Sequence, residues 1–388
     1  MSTFLRISGR DPLVARDGRP FGAGQGNRMH SSDWLYPSVV AGSFRTTLAK
    51  EANRRFDAAT QDELLMIDVA GVLPVVGKQL YLPAPNDCAF EDKGNVFRAR
   101  PGKIEEGEGA DWPAERLRPV LLDADHDFKP EPGPAFWPVS CYVEWLTDKK
   151  IDPRSDDFLR APLADLRDHV RLDPDSGAAE EGQLFTTAGI SSSALPKHGP
   201  PPGPAKPTGK PRRECFAEIE LATRVENVPD WGQQALSKLS IWHPLGGERR
   251  LAHWRTEEDE TAWQCPVIVS DELGKTNRIT MTLATPAIFR DGWKPGWLGD
   301  DLQGSPFADG PRLTLVGVCI QRWRAVSGWS YKDGGPKPIR RAVPAGGVYF
   351  FQSESNDNRA LAGHWLRSVS DGEQERRDGF GLAVWGTW

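Results

Sequence analysis

The chain has 388 residues, of which 38% are hydrophobic and 26% charged, and its formal net charge is −6. That length exceeds one ordinary domain of roughly 150 residues and leads us to expect two or three. With a mean hydropathy of −0.51, no stretch approaches the roughly 20 apolar residues of a membrane span, and the opening MSTFLRISGRDP has no apolar core of a secretory signal. A cytoplasmic protein without membrane contact is therefore expected. Cys88, Cys141, Cys215, Cys265 and Cys319 lie far apart without a CxxC pair, and the histidines form no HExxH. Neither a disulfide framework nor a metal centre is expected, and the cysteines read as buried free thiols.

A negative total argues against nucleic-acid binding by bulk charge, but the charge is unevenly spread. Residues 1–50 carry Arg6, Arg10, Arg16, Arg19, Arg28, Arg45 and Lys50 against Asp11, Asp17 and Asp33. Residues 320–341 carry Arg322, Arg324, Lys332, Lys337, Arg340 and Arg341 against Asp333 alone. Residues 87–131 run acidic, densest at IEEGEGAD, and read as facing solvent in preference to a basic partner protein. Two basic segments far apart in sequence are thus candidates for phosphate contact.

In chain order, FLRISG alternates as a strand and RDGRPFGAGQGNRMHSSDW is a loop rich in Gly and Arg. PSVVAGSFRTTLAKEANRRF follows as an amphipathic helix, with Ser38 as its cap and Phe44, Leu48, Ala52 and Phe56 recurring every four positions. A strand, a glycine-rich loop and a helix N-terminus in that order can receive phosphate on backbone N–H groups. KQLYLPAPND reads as an edge strand ending in a proline turn. In FLRAPLADLRDHV, Leu159, Leu163 and Leu166 have helical spacing, and HVRLDPDSGAAEEGQLFTT reads as a hairpin around an Asp, Ser and Gly turn.

PKHGPPPGPAKPTGKPRR, at 196–213, is too rich in proline to pack as a core and is expected to be an exposed excursion or a domain boundary. Beyond it FAEIELATRV, SKLSIWHPL, PVIVS, RITMTLATP, RLTLVGVCIQRW, GGVYFFQ and GFGLAVWGTW all read as strands. Strands predominate over helices, which favours an α+β fold of antiparallel sheets over a doubly wound parallel one. No fixed period points to a propeller or solenoid.

ARDGRPF (15–21), PSVVAGSFRTTL (37–48) and YLPAPND (81–87) resemble, in that order, the N-terminal pattern of the third RAMP subunits of type III-B CRISPR (Cmr) effector complexes. PLGGERR (244–250), LATPAIFRDGWKP (283–295), VSGWSYKDGGPKPIRRAVPAGGVYFF (326–351) and DGFGLAVWGTW (378–388) continue the resemblance, and the hairpin at 169–187 is similar to the one that RAMP proteins set against guide RNA. The match covers most of the chain and leaves out 196–213. It implies two ferredoxin-like (RRM-like) halves, drawn at 1–215 and 216–388, each with antiparallel sheets. It also implies that the chain binds the 5′ handle of the CRISPR RNA (crRNA), docks the large polymerase-like subunit and neighbours the backbone RAMP subunit. No nuclease activity and no cofactor are implied for this subunit.

A short single-stranded handle is recognised through phosphates, base edges and stacking. Arg16 and Arg19 flank the turn at Gly18, and their forked guanidinium groups suit phosphate; the plainer reading is a structural pair of Arg16 with Asp17. Arg28 lies in the same loop, and Arg45, in the second turn of the helix, would reinforce an anion site near its positive end. Lys337, Arg340 and Arg341 adjoin Gly346 and Gly347, glycines that allow close approach of a second backbone. Arg249 and His169 complete the candidate RNA contacts.

His169 also invites a general-acid reading, and with it the alternative of a RAMP-fold endoribonuclease that processes precursor crRNA. The sequence places no second acid–base group beside it, and it contains no GxSxG elbow, Walker loop or kinase motifs. The 15 tryptophans, among them Trp293, Trp297 and Trp329 next to Gly and Trp242 two residues before Pro244, read as core and subunit-interface packing. A carbohydrate-binding module would need export.

Overall fold

The structure, a computed structural model, describes residues 2–18, 31–91, 95–103, 106–107, 113–114, 116–151, 158–194, 217–259 and 261–388. The excursion at 196–213, most of IEEGEGAD, Arg19, Arg28 and His30 lie outside the described residues. In strand Thr3–Gly9, alternation sends Leu5 and Ile7 to one face and Phe4 to the other, all buried. A strand covered on both faces belongs at the centre of a sheet. It stands third in a seven-stranded antiparallel sheet of order Ser240–Pro244, Leu251–Glu257, Thr3–Gly9, Glu220–Glu226, Asp68–Val76, Gln79–Pro83, Phe136–Pro138.

The second sheet is six-stranded and antiparallel, ordered Gln303–Gly304, Leu313–Cys319, Val348–Ser353, Arg278–Leu283, Leu382–Thr387, Arg367–Ser368. Number the central strands of each sheet along the chain and the same spatial order appears twice: fourth, first, third, second. The α+β class with antiparallel sheets is as expected. Glu220–Glu226, Ser240–Pro244 and Leu251–Glu257 pair in the first sheet, with Thr3–Gly9 at its centre. The 215/216 boundary therefore falls inside the run of strands that builds this sheet.

Helix Pro37–Glu51 covers one face of the first sheet, with Val40, Phe44 and Leu48 packed among Leu5, Ile7, Val72, Val225 and Trp254. Burying each large side chain contributes roughly 1.5–3 kcal/mol. Pro37 opens the helix at its first position, so Ser38 is not its cap, and the helix ends before Phe56, which is exposed. The other face of the sheet, through Phe4, Leu73 and Ala222, shares a core with Met281, Tyr349, Phe351 and Trp385 of the second sheet.

Two readings are corrected. PVIVS begins a helix, Val267–Leu273, because Val269 and Leu273, four apart, turn inward together. FLRAPLADLRDHV is not helical: Pro162 bars the helical conformation at Ala161, and Ala164–Leu172 pairs with Ala179–Ile190 as a hairpin. That hairpin includes the predicted turn, where the Asp173 carboxylate accepts from the N–H groups of Asp175 at 3.1 Å and Ser176 at 2.7 Å. No helix among the described residues is long and apolar enough to cross a membrane.

Candidate nucleic-acid interface

The two basic segments of the sequence meet in space. Strand Arg324–Val326 pairs with Arg340–Ala342, Ala325 lying opposite Arg341. On its other edge the Gly18 N–H donates to the Ala325 carbonyl at 3.0 Å. Gly18 is buried, and a β-carbon there would stand 3.1 Å from the backbone carbonyl carbons of Ala325 and Val326. A small residue is needed for this crossing. Val326 and Ala342 turn inward against Tyr36, Ile288 and Phe380, while Arg324 pairs with Asp33 at 3.4 Å. Arg16 and Arg341, both exposed, thus stand on opposite edges of one short strand.

Several other cations of these segments have carboxylate partners. Arg340 pairs with Glu375, and Lys337 lies 3.8 Å from Asp378. Arg45 is the main departure from expectation: it is turned inward and 5% exposed, with Nη1 donating to Asp378 at 2.5 Å. The anion facing it is a carboxylate of this chain, since residue 45 lies on the buried face with Phe44 and Leu48. The close approach expected at Gly346 is likewise internal. Its φ is +84°, a β-carbon there would collide with the Ala84 carbonyl, and its own carbonyl accepts from the Asn86 N–H at 2.8 Å. Gly347, also buried, accepts from the Leu283 N–H at 2.9 Å. Gly346 thus seats the turn on YLPAPND, and Gly347 ties it to the strand Arg278–Leu283.

Beside Arg340 and Arg341 opens a cleft of about 630 Å³, lined also by Phe289, Arg290, Asp371 and Glu375. Asp371 is already engaged, accepting from the N–H groups of Arg290 at 2.7 Å and Gly296 at 2.8 Å.

His169 and Arg249 gather on the opposite side of Arg16. Leu13–Val14 pairs with the hairpin strand at Gly189–Ile190, and the Gly247 N–H of PLGGERR donates to the Val14 carbonyl at 2.6 Å. His169 stacks on Phe185 with ring centroids 5.0 Å apart, and its Nε2 lies 2.9 Å from Thr187 Oγ1 and 3.7 Å from Glu248 Oε1. Arg249 is exposed at the tip of the turn with φ of +51°. The structure therefore leaves Arg16, Arg249 and Arg341 exposed and His169 half-buried.

Sequence reasoning treated the tryptophans alike, and the structure separates them. Trp297 packs on Phe351 at 5.4 Å, and the Trp293 carbonyl accepts from Tyr349 Oη at 2.7 Å. Trp323, Trp329 and Tyr331 instead stand exposed on the arm that carries Arg341. The signal was the alternation in QRWRAV, which sends Trp323 to the opposite side of the strand from buried Val326. Cys265 and Cys319 are half-buried, and burial pushes both thiols up to about 12.

Paired antiparallel sheets of one repeated strand order, with an exposed arm of mixed basic and aromatic residues, define a two-sheet α+β protein. The chain belongs to the family described as CRISPR-associated protein (Cas_Cmr3), whose sequence pattern matches residues 5–388. No curated protein matches it. Among solved structures it is similar to a chain of the cryo-EM structure of the Type III-B Cmr-beta bound to cognate target RNA, with 12% identity, coverage of 89% of this chain and 86% of that one, and a TM-score of 0.47. It is also similar to a chain of the crystal structure of the Csm3-Csm4 subcomplex in the type III-A CRISPR-Cas interference complex, with 9% identity, coverage of 100% and 99%, and a TM-score of 0.42.

Proposed function

We propose that this chain is a non-catalytic subunit of a type III-B Cmr effector complex that binds the 5′ handle of the crRNA and docks the large polymerase-like subunit beside the backbone RAMP subunit. Family membership supports the complex. The observation that carries RNA binding is the convergence of the two basic segments at the Gly18–Ala325 contact, which leaves Arg16 and Arg341 exposed together. The repeated strand order, with helices Pro37–Glu51 and Asp230–Ser237 following the first and third central strands of the first sheet, supports two ferredoxin-like halves.

The test is affinity purification of the chain from cells expressing its genomic neighbours, with sequencing of the co-purified RNA. Short RNAs sharing one 5′ handle, recovered with a polymerase-like subunit, are the expected result, and Arg16→Ala with Arg341→Ala should reduce their yield without lowering the melting temperature. A chain that returns alone and free of RNA would refute the reading.

Metal-free cleavage of precursor crRNA has one observation in its favour, the Glu248 carboxylate 3.7 Å from His169. General acid–base cleavage needs two such groups. Repeat RNA cut in EDTA by the parent chain and left whole by His169→Ala would establish that reading; RNA left whole by the parent removes it.

A further inference from the structure

We infer that the arm Trp323–Arg341 is a stacking platform for unpaired RNA bases, with Trp323 under the Arg341 guanidinium as one station and Trp329 as a second. The inference rests on the RNA-binding reading and names the groups that would hold the bases.

The arm is built in two steps. Arg324–Val326 pairs with Arg340–Ala342, and farther out Trp329–Ser330 pairs with Gly335–Pro336. Because Ala325 lies opposite Arg341, Trp323, two residues earlier, is diagonal to Arg341 on the same face. The guanidinium lies 4.8 Å from the Trp323 ring centroid. The other face, through Val326 and Ala342, is buried. Apolar burial thus fixes which side of the arm faces out.

The arm exposes three large aromatic side chains, with Trp323 45%, Trp329 58% and Tyr331 71% exposed. Both ends of the arm are held. Its base is buried against Tyr36 and Phe380, and near its tip Lys332 bonds Asp62 at 2.6 Å while Tyr331 meets the edge of Phe56 at 6.2 Å. The rings are therefore presented before a ligand arrives, which lowers the ordering cost of binding.

Charge selects the ligand. Of the six bases between 320 and 341, Arg324, Lys332, Lys337 and Arg340 have carboxylate partners in Asp33, Asp62, Asp378 and Glu375. Arg322 and Arg341 are exposed and have no ion pair among the described residues. Planar rings beside unneutralised guanidinium groups fit a ligand of alternating planar and anionic parts, which single-stranded RNA is and a duplex, with its bases covered, is not.

The test uses the full chain, a fluorescein-labelled single-stranded RNA oligonucleotide and the same oligonucleotide annealed to its complement, read by anisotropy across a salt series. Trp323→Ala and Trp329→Ala should each weaken single-strand binding about 5- to 150-fold, with the slope of log affinity against log salt unchanged. Trp323→Phe should recover most of the loss, and duplex affinity should not move. Arg341→Ala should instead reduce the salt slope. Alanine variants that melt normally and bind the single strand like the parent would overturn the platform while leaving RNA binding itself in place. Variants that keep RNA affinity but no longer co-purify a Cmr subunit would make the arm a protein-docking surface and also overturn it. If the parent binds no single-stranded RNA, alone or assembled, the RNA reading and the platform fall together.

Discussion

Arg45 and Asp378, 333 positions apart, form a buried ion pair with Nη1 2.5 Å from Oδ1 and side chains 6% and 3% exposed. Nη2 of Arg45 also donates to the carbonyls of Ile67 at 2.7 Å and Arg377 at 3.3 Å. The pair fastens the helix over the first sheet to the DGFG turn that leads into the last strand of the second. Removing one partner of such a pair leaves an uncompensated buried charge and costs about 3–5 kcal/mol. Arg45→Met should therefore lower stability by about that amount in a denaturant titration, while RNA affinity per folded molecule stays at the parent value. Unchanged stability with lost RNA affinity would return Arg45 to the binding face.

Gly346 makes a related case at the backbone. Its φ of +84° and the Ala84 carbonyl against its α-carbon leave no space for a side chain. Gly346→Ala should destabilise the chain by about 1–3 kcal/mol through strain and overpacking. The measurement is the shift in denaturant midpoint. A variant as stable as the parent but defective in RNA binding would mean that this glycine serves a ligand after all.

These two positions show what the sequence could and could not display. Alternation in FLRISG and the four-residue period of Phe44 and Leu48 are local, so the strand, the helix and their buried faces were legible. The hairpin was legible too, since Asp173 and Gly177 form its turn without distant help. Arg45 was placed correctly on its helix, but its partner lies 333 residues away, and a helix wheel does not say which anion a buried cation meets. A comparable distance hid the contact of Gly18 with Ala325, and so the union of two basic segments that the sequence showed only separately. PVIVS misled because a short apolar run fits strand and helix equally. The 215/216 boundary is drawn at the proline-rich stretch, and Thr3–Gly9 before it pairs with Glu220–Glu226 and Leu251–Glu257 after it.

Asp87, in YLPAPND, gives a pH-dependent expectation. Burial raises its pKa from 3.8 to about 6, against the nearby Arg98 charge and the Trp145 Nε1–H, which donates to Oδ1 at 2.9 Å. Between those values the unfolded chain has lost the proton that the folded chain still holds. The contribution is fully present below about pH 4 and is lost as pH rises through about 6, a change of about 3 kcal/mol. Asp87→Asn keeps an acceptor for Trp145 and removes the titration. It should match the parent near pH 4 and exceed its stability by up to about 3 kcal/mol above pH 6. Denaturant titrations across that range that run parallel for the two chains would refute the assignment.

The hairpin offers the last expectation. Opposed pairs Leu184 with Val170 and Ala188 with Leu166 share one face, and Leu166, Val170 and Leu184 are all exposed there, whereas His169 and Phe185 on the other face stack beside Glu248. Exposed side chains contribute little to folding, and an apolar stripe that the fold does not use is a candidate contact surface. On the proposed reading its contact is the guide RNA in the assembled complex. Leu166→Ser, Val170→Thr and Leu184→Ser together should leave the melting temperature of the isolated chain within a few degrees of the parent, because no buried area is lost. They should also reduce the crRNA retained after a high-salt wash of the assembled complex, where apolar contact outlasts charge. Equal retention would detach the stripe from RNA, and a large fall in melting temperature would show that the fold uses it.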